Sequence, residues 1–339
     1  MATMDVFGAD AFDMMSMTKA VDAIGFKPQL LGDMAVFDPV PVMTETVFIE
    51  ERSNEPALIQ TTTRGAAPTR KGAEQRKVTN VKTTRIATAD RVSADQIQNI
   101  RAFGQESELQ MVVNEVNRRQ FLLRRDMELT LENMRLGCIQ GIVLDADAAT
   151  LFDWPTLLSQ TIPTEVDFEL DAASPASGVL RKRCNVAKRS ILRGLSGLGG
   201  TGIDIYALCG DNFWDDLTAH TEVRETFLNW SAARELREGN VFESFRFGSI
   251  DWINYRSTDD GSTVGINTDE AKFFPRGAGI FQTAYAPAET FDFANTPGQP
   301  FYSWLVNDKD RNAWVDVEMY SYPLHVCTMP KALYRARRT

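Results

Sequence analysis

The sequence predicts a mixed α+β protein, and three observations carry that prediction. A capped apolar stripe near residues 107–138 has the spacing of one long helix, because its apolar residues recur at steps of three, four or seven. Short segments rich in β-branched and aromatic residues, clearest at 44–50 and 243–257, have the composition of strands. No internal repeat is visible along the 339 residues. Helices and strands therefore share one ordinary globular chain.

Composition and charge exclude several classes of protein. With 43% apolar residues the chain can bury a real core, as one large domain or two of ordinary size. No apolar run approaches the roughly 20 residues of a membrane span, and the N-terminus lacks the basic region of a signal peptide. The four cysteines show no CxxC spacing and are predicted to be reduced core thiols in a protein made in the cytosol. A net charge of −10 disfavours a general nucleic-acid binder.

Near the N-terminus, residues 10–26 have the spacing of a short amphipathic helix on an arm, and residues 44–50 that of a strand. A basic segment follows at 59–86, with seven cations, one acid and no large apolar residue between Ile59 and Val78. Its second half suits an exposed two-stranded ribbon. The cations are Arg64, Arg70, Lys71, Arg76, Lys77, Lys82 and Arg85.

The long helix is the most legible element. Capping-box patterns stand at Ser93–Gln96 and at Ser107–Gln110, and the next glycine after the second box is Gly137. About 30 helical residues would span on the order of 45 Å. The charged residues on the other side of this helix are predicted to form a solvated face.

After the helix, residues 140–170 contain strand patterns, and the tract at 171–178 has the composition of a linker and domain boundary. A helix then runs to the glycine-rich stretch 194–202, and an α/β block follows. The last residues form strands around a turn at 307–310.

The search for chemistry finds no convincing catalytic or metal constellation, so the sequence predicts no enzyme activity and no cofactor. His325 lies in an apolar strand, as a buried structural histidine would, and His220 ends a helix, where the dipole favours a cation. The glycine-rich stretch lacks the lysine of a phosphate-binding loop. Asp145 begins an acidic run that has Thr150 and Thr156 where a calcium loop needs Gly and Glu.

One passage is more specific. Residues 268–302 resemble the signature of the tailed-phage major capsid protein E family, the lambda-like group, and the order of elements over nearly the whole chain is similar as well. The matching residues are Phe273, Phe274, Pro275, Gly277, Gly279, Phe281, Thr283, Tyr285, Ala286, Pro287 and Ala288.

The resemblance implies the Hong Kong 97-type capsid fold, with an N-terminal arm, an extended loop, a long spine helix, a β-rich peripheral domain and an α/β axial domain. On this sequence it assigns the parts as follows: arm 1–35, first peripheral strand 36–49, extended basic loop 50–90, peripheral domain 91–177 with spine helix 107–138, axial domain 178–289, and terminal peripheral strands 290–339.

The resemblance also implies a function: the major head protein of a tailed double-stranded DNA phage, assembling as pentamers and hexamers into an icosahedral shell. The basic loop would then lie across a neighbouring subunit, which explains its lack of apolar residues. The other implied partners are a separate scaffolding protein, a portal and a decoration protein, with DNA enclosed but not bound sequence-specifically and no membrane. The resemblance also implies assembly in the host cytoplasm and a final location in the virion. Lys–Asn cross-linking cannot be inferred.

Three alternatives stay open at this point. A cellular encapsulin-like nanocompartment would have the same fold and hold cargo peptide instead of DNA. An enzyme with an unrecognised site would show a discrete pocket with perturbed titratable groups. A DNA-binding role for residues 59–86 would give salt-sensitive binding, although that segment lacks aromatic residues for stacking.

Overall fold

The computed structural model describes residues 30–52, 76–99, 108–172, 175–196, 202–228, 244–255, 265–311 and 313–339. The helix predicted at 10–26 and the first part of the basic segment, 59–75, lie outside these residues. The helices are α1 Leu30–Asp33, α2 Ala94–Asn99, α3 Glu108–Gln140, α4 Trp154–Leu158, α5 Val179–Gly194, α6 Asp211–Ala219 and α7 Thr221–Leu228.

The structure has sixteen strands among the described residues, and most of them lie in the second half of the chain. They are β1 Asp38–Pro41, β2 Thr46–Arg52, β3 Arg76–Lys82, β4 Ile86–Ser93, β5 Ile142–Leu144, β6 Thr150–Asp153, β7 Val166–Asp167, β8 Asp204–Cys209, β9 Ser244–Phe247, β10 Ile250–Asn254, β11 Glu270–Arg276, β12 Phe281–Tyr285, β13 Tyr302–Asn307, β14 Trp314–Ser321, β15 Pro323–Cys327 and β16 Tyr334–Arg337.

Helix α3 confirms the long helix predicted from the apolar stripe and is 33 residues long. The part of the stripe from Val116 through Met127 to Cys138 is buried. One of the two bonds of the first capping box is present, since the Ser93 backbone N–H donates to Gln96 Oε1 at 3.4 Å. The second box includes Ser107, which lies outside the described residues.

The chain divides into two compact units. The first comprises Met1–Val47, Lys82–Asn133 and Gln282–His325, and the second comprises Phe48–Val81, Met134–Phe281 and Val326–Thr339. The predicted linker at 171–178 lies inside the second unit, because β7 before it and β16 after it belong to one sheet. The finer assignment of arm, loop, peripheral and axial domains stays a prediction.

The first unit is built on a three-stranded antiparallel sheet in the order β13-β14-β4. Strand β14 alternates buried and partly buried residues, so that Val315, Val317 and Met319 face the core. Helix α3 contributes its polar Gln120 to this core, where the side-chain amide donates to Ser303 Oγ at 3.1 Å. Alternation with a period of two therefore places one face of β14 in the core of the first unit.

The second unit is built on a six-stranded mixed sheet in the order β7-β16-β11-β8-β10-β9. Strands β8 and β10 run parallel, as do β16 and β7, and the other pairs whose direction is described are antiparallel. The final strand, β16, pairs with β11 in this sheet. Residues 334–337 thus belong to the second unit, whereas strands β13 and β14 belong to the first.

Four aromatic rings fill the core of the second unit: Phe168, Phe213, Trp252 and Phe273. Their centroids lie 5.3–6.1 Å apart in stacked, tilted and edge-on pairs. Such contacts stabilise aromatic clusters beyond the area they bury. Helices α5 and α6 close this core through residues such as Ile191 and Leu217.

The cysteine prediction is confirmed, since all four thiols are free and buried. Burial raises the pKa of Cys184 and of Cys327 to about 12, which keeps both thiols protonated and unreactive. His325 is buried as predicted. His220 follows the last residue of α6, and its Nδ1 accepts the Glu222 N–H at 3.3 Å.

Candidate intersubunit contact surface

Strands β2 and β3 form a separate two-stranded ribbon. Phe48 is 67% exposed and Val78 is 58% exposed, although both are large apolar side chains. A two-stranded ribbon is only marginally stable by itself in water, and its exposed edges can pair with another chain. The ribbon therefore has the properties of a segment that is completed by a partner.

The residues that flank the ribbon, Glu45 and Thr83, are bonded to each other within the first unit. The Thr83 backbone N–H donates to the Glu45 carbonyl at 3.0 Å, and the Thr83 hydroxyl donates to the same oxygen at 3.2 Å. Lys82 Nζ lies 3.5 Å from Glu45 Oε1, with both side chains largely exposed. Such an ion pair contributes little by itself, so the backbone bonds are the firmer attachment.

Two more of the predicted contact cations are engaged within the chain. Lys77 Nζ donates to Ser159 Oγ at 2.8 Å, in the second unit. Arg85, in the first unit, pairs with Glu289 at 3.2 Å and stands over the ring of Tyr320 at 5.0 Å. Both cations stay at the surface, where a hydrogen bond or ion pair can be exchanged for another.

The remaining contact cations are not placed. Arg64, Arg70 and Lys71 lie outside the described residues, as does the side chain of Arg76. Contact between the seven cations and a neighbouring subunit stays a prediction.

In the first unit, an ion-pair cluster joins helix α3 to strand β4. Arg119 contacts Asp90 Oδ1 at 2.5 Å and Glu115 Oε1 at 2.8 Å, and Arg118 also pairs with Glu115 at 2.8 Å. The hydrogen bond from Arg118, helped by Arg119, lowers the pKa of Glu115 to about 2 against the raising effect of burial. The cluster fixes the N-terminal half of α3 on strand β4.

Most of the family signature is buried, whereas Gly277 and Gly279 are exposed. Phe273 and Phe274 are buried in β11, where Phe273 joins the aromatic core and Phe274 packs edge-on against Phe281 at 6.0 Å. Gly277 and Gly279 have φ values of +82° and +65°, in the left-handed region that side chains other than glycine rarely adopt. The first half of the signature therefore specifies a buried strand and the turn after it.

Its second half is buried as well, in β12 and the residues that follow. The Thr283 hydroxyl lies 2.7 Å from His325 Nδ1, which satisfies a polar pair inside the first unit. Tyr285, Ala286 and Ala288 are buried, and Pro287 is half-buried. The buried signature residues at 283–288 thus pack inside the first unit.

The described residues offer little for catalysis. Among them, no group of three or more His, Cys, Asp or Glu side chains could hold a metal ion. An open concavity of about 530 Å³ lies beside Ser159 and Arg335, and its single carboxylate, Asp153, caps α4 by accepting the Thr156 N–H at 3.2 Å. Among the residues that the structure describes, no helix is long and apolar enough to cross a membrane.

Comparison with known proteins gives consistent matches over the full length. The family described as phage major capsid protein E matches residues 13–338. A major capsid protein from Pseudomonas phage KPP10 is 24% identical over 347 residues, covering 96% of this chain and 97% of the relative. One from Salmonella phage Felix O1 is 21% identical over 358 residues and covers 96% of both.

Solved structures match the fold at lower identity. The putative capsid protein of a prophage of E. coli CFT073 has a TM-score of 0.57 at 12% identity, covering 98% of this chain and 100% of its own. A chain of the cyanophage A-1(L) capsid has a TM-score of 0.54 at 12% identity, and the match covers 93% of this chain and 94% of the cyanophage chain.

Proposed function

Because the chain belongs to the phage major capsid protein E family and has the Hong Kong 97-type capsid fold, we propose that it is the major capsid protein of a tailed double-stranded DNA phage. The observation that supports this most is the family match over residues 13–338, with capsid folds alike over more than nine-tenths of the chain. The role is structural, not enzymatic. An encapsulin-like shell is not favoured, since the relatives are phage capsid proteins.

We further propose that identical subunits meet head-to-tail as pentamers and hexamers and close an icosahedral shell. Heterologous contacts of this kind close into rings when the rotation between subunits allows it. Each contact can be weak, since a subunit held at several places gains from effective concentration. The ribbon β2–β3, with Phe48 and Val78 exposed, is one such contact, and the cations of residues 59–86 strengthen it by facing an acidic neighbour.

In this proposal the predicted domain layout describes the subunit: arm 1–35, extended loop 50–90, a peripheral domain with helix 107–138, and an axial domain at 178–289. A separate scaffolding protein, a portal and a decoration protein are its proposed partners. Assembly takes place in the host cytoplasm, and the shell encloses the genome without reading its sequence.

Negative-stain electron microscopy and sedimentation velocity of the purified full chain test the proposal. Closed shells, tubes, or rings of five and six subunits are the expected result, either for the chain alone or after co-expression with the phage's scaffolding protein. A 37.9 kDa monomer that persists with the scaffold would contradict a capsid role.

A further inference from the structure

Helix α5 carries a charge pattern that the proposed function does not explain. Its 16 residues include six cations and no acid, in a chain whose net charge is −10. The cations are Arg181, Lys182, Arg183, Lys188, Arg189 and Arg193. Its buried side, with Leu180 and Ile191 among others, packs into the core of the second unit, so the charges are not required for folding.

Among the described residues, only Arg183 of these six cations forms an ion pair, and Glu222 accepts the backbone N–H groups of Leu180 and Arg181 at the start of the helix. Arg183 pairs with Glu169, and Arg181 stands 5.9 Å from the centroid of the Phe247 ring. Lys182, Arg189 and Arg193 are exposed, and none of the three forms an ion pair with any residue that the structure describes. Their charges face solvent in the single subunit.

An exposed apolar residue lies among them. Val186 is 46% exposed, and it is separated from Lys182 by four residues and from Arg189 by three, so the three side chains share one face of the helix. We call Lys182, Val186, Arg189 and Arg193 the α5 face. A solvated charged face needs no exposed valine. An apolar centre surrounded by charged residues is typical of a protein–protein interface.

The β5–β6 hairpin, in the same unit, has the complementary properties. Ile142 is 37% exposed and Leu144 is 39% exposed, and the turn between the strands presents Asp145 and Asp147 to solvent. Each aspartate uses one oxygen to accept a backbone N–H of the turn, from Ala146 at 2.8 Å and from Ala149 at 2.9 Å. Among the described residues, neither aspartate has a cationic partner, so both charges are available to a neighbour.

We propose that the α5 face of one subunit binds the β5–β6 hairpin of the next copy of this chain. The inference rests on the proposed function and names one of its contacts. A head-to-tail interface needs two different, mutually complementary surfaces on each subunit, which this unit supplies. Val186 packs against Leu144 and Ile142, while Lys182, Arg189 and Arg193 surround Asp145 and Asp147. The phosphate backbone of DNA would match the cations and leave Val186 without a partner.

Charge reversal with compensation tests the contact. Arg189→Glu with Arg193→Glu, or Asp145→Lys with Asp147→Lys, is expected to reduce particle yield about tenfold or more, since like charges then face each other. The quadruple variant is expected to recover most of the yield. Arg224→Glu, a reversal of an exposed cation on α7, is the matched control and is expected to assemble normally.

A second measurement covers the risk that lysine disrupts the hairpin turn. Asp145→Asn with Asp147→Asn keeps the turn acceptors, removes the charges and is expected to lower the yield less than reversal does. In the Val186→Cys, Leu144→Cys double variant, oxidation of assembled particles is expected to link neighbouring subunits into a ladder on a denaturing gel. The buried native thiols do not compete. Val186→Cys combined with Val306→Cys, an exposed site in the first unit, is the control pair.

The outcomes separate this inference from the proposed function. If the wild-type chain forms particles and the α5 reversal also forms them at full yield, the contact is absent while the capsid role stands. A yield that falls without rescue and without cross-linking would overturn the inference in favour of another acidic protein. Normal particles that lose only their DNA would overturn it in favour of nucleic acid. A wild-type chain that never assembles contradicts the proposed function itself.

Discussion

At the scale of single residues, Glu115 makes stability depend on pH. Its pKa is about 2 in the folded protein and 4.5 in its ordinary state, so folding favours the charged form. A depressed pKa adds stability that is fully present above pH 4.5 and is lost as the pH falls through about 2. Glu115→Gln is therefore expected to lower the free energy of unfolding by roughly 1–3 kcal/mol at neutral pH.

Urea denaturation followed by tryptophan fluorescence measures this effect across the acidic range. The difference between wild type and Glu115→Gln is expected to shrink towards zero as the pH approaches 2. Asp126→Asn is the control, because that carboxylate is exposed and pairs only with the equally exposed Arg125 among the described ion pairs. A difference that stays constant down to pH 2 would show that the pairing of Glu115 with Arg118 and Arg119 is not its cause.

At the scale of elements, the close packing of α5 gives a second prediction. A Cβ at Gly194 would lie 2.3 Å from the Lys331 carbonyl oxygen, which belongs to the 3₁₀ turn Pro330–Ala332. Gly194→Ala is thus expected to destabilise the protein by about 1–3 kcal/mol, although alanine is the better helix former. Gly265→Ala, where nothing lies within 4 Å, is expected to stay within about 0.5 kcal/mol of wild type.

Thermal or urea unfolding of the two alanine variants decides the point. Equal stability of Gly194→Ala and Gly265→Ala would mean that the turn at Lys331 moves away at no cost, and that α5 and this turn are not tightly packed.

Elements with a strong local period could be read from the sequence. Helix α3 has its stripe of spaced apolar residues, and β14 has its alternation of Val315, Val317 and Met319. Pairings between distant segments could not be read from the sequence, because their register is set by tertiary contacts. Asp38 faces Gln282 in the parallel pair β1–β12, and Ala336 faces Val166 in β16–β7. No local pattern near residue 334 distinguishes a strand of the second unit from one of the first.

The sequence likewise predicted only part of the candidate contact surface. Charge alone marks the basic segment 59–86, but it does not say that Lys77 donates to Ser159 or that Arg85 pairs with Glu289. The signature residues carry the family identity, yet only the structure shows that Phe273 and Phe274 serve the core. The exposed valine among the cations of α5 also required the structure, since composition does not reveal exposure.

At the scale of the whole molecule, an acidic subunit with local basic surfaces is suited to a shell. In the proposed shell, the net charge of −10 would keep enclosed DNA from binding broadly, while the cations of residues 59–86 and of α5 would serve contacts with neighbouring subunits. The two basic regions differ in kind. One belongs to a segment poor in apolar residues, and the other lies on a helix anchored in a core.

That difference predicts how substitutions in the basic segment behave. Arg64→Gln, Arg70→Gln and Lys71→Gln, combined in one variant, are expected to leave the free energy of unfolding within about 0.5 kcal/mol of wild type, because the segment has little to bury in its own subunit. The same variant is expected to assemble poorly, since its charges act between subunits and are lost. Urea denaturation of unassembled protein and sedimentation velocity of assembled material measure the two effects separately.

The matched control removes three exposed cations elsewhere, Arg125, Arg224 and Lys309, again by substitution with Gln. It changes the net charge equally, so normal assembly of the control together with poor assembly of the loop variant would assign the effect to the segment's position and not to charge in general. A loop variant that is destabilised on its own would instead mean that the segment packs on its own subunit. One that assembles like wild type would place the contacts of the shell on the ribbon β2–β3 and on α5, without the cations of the loop.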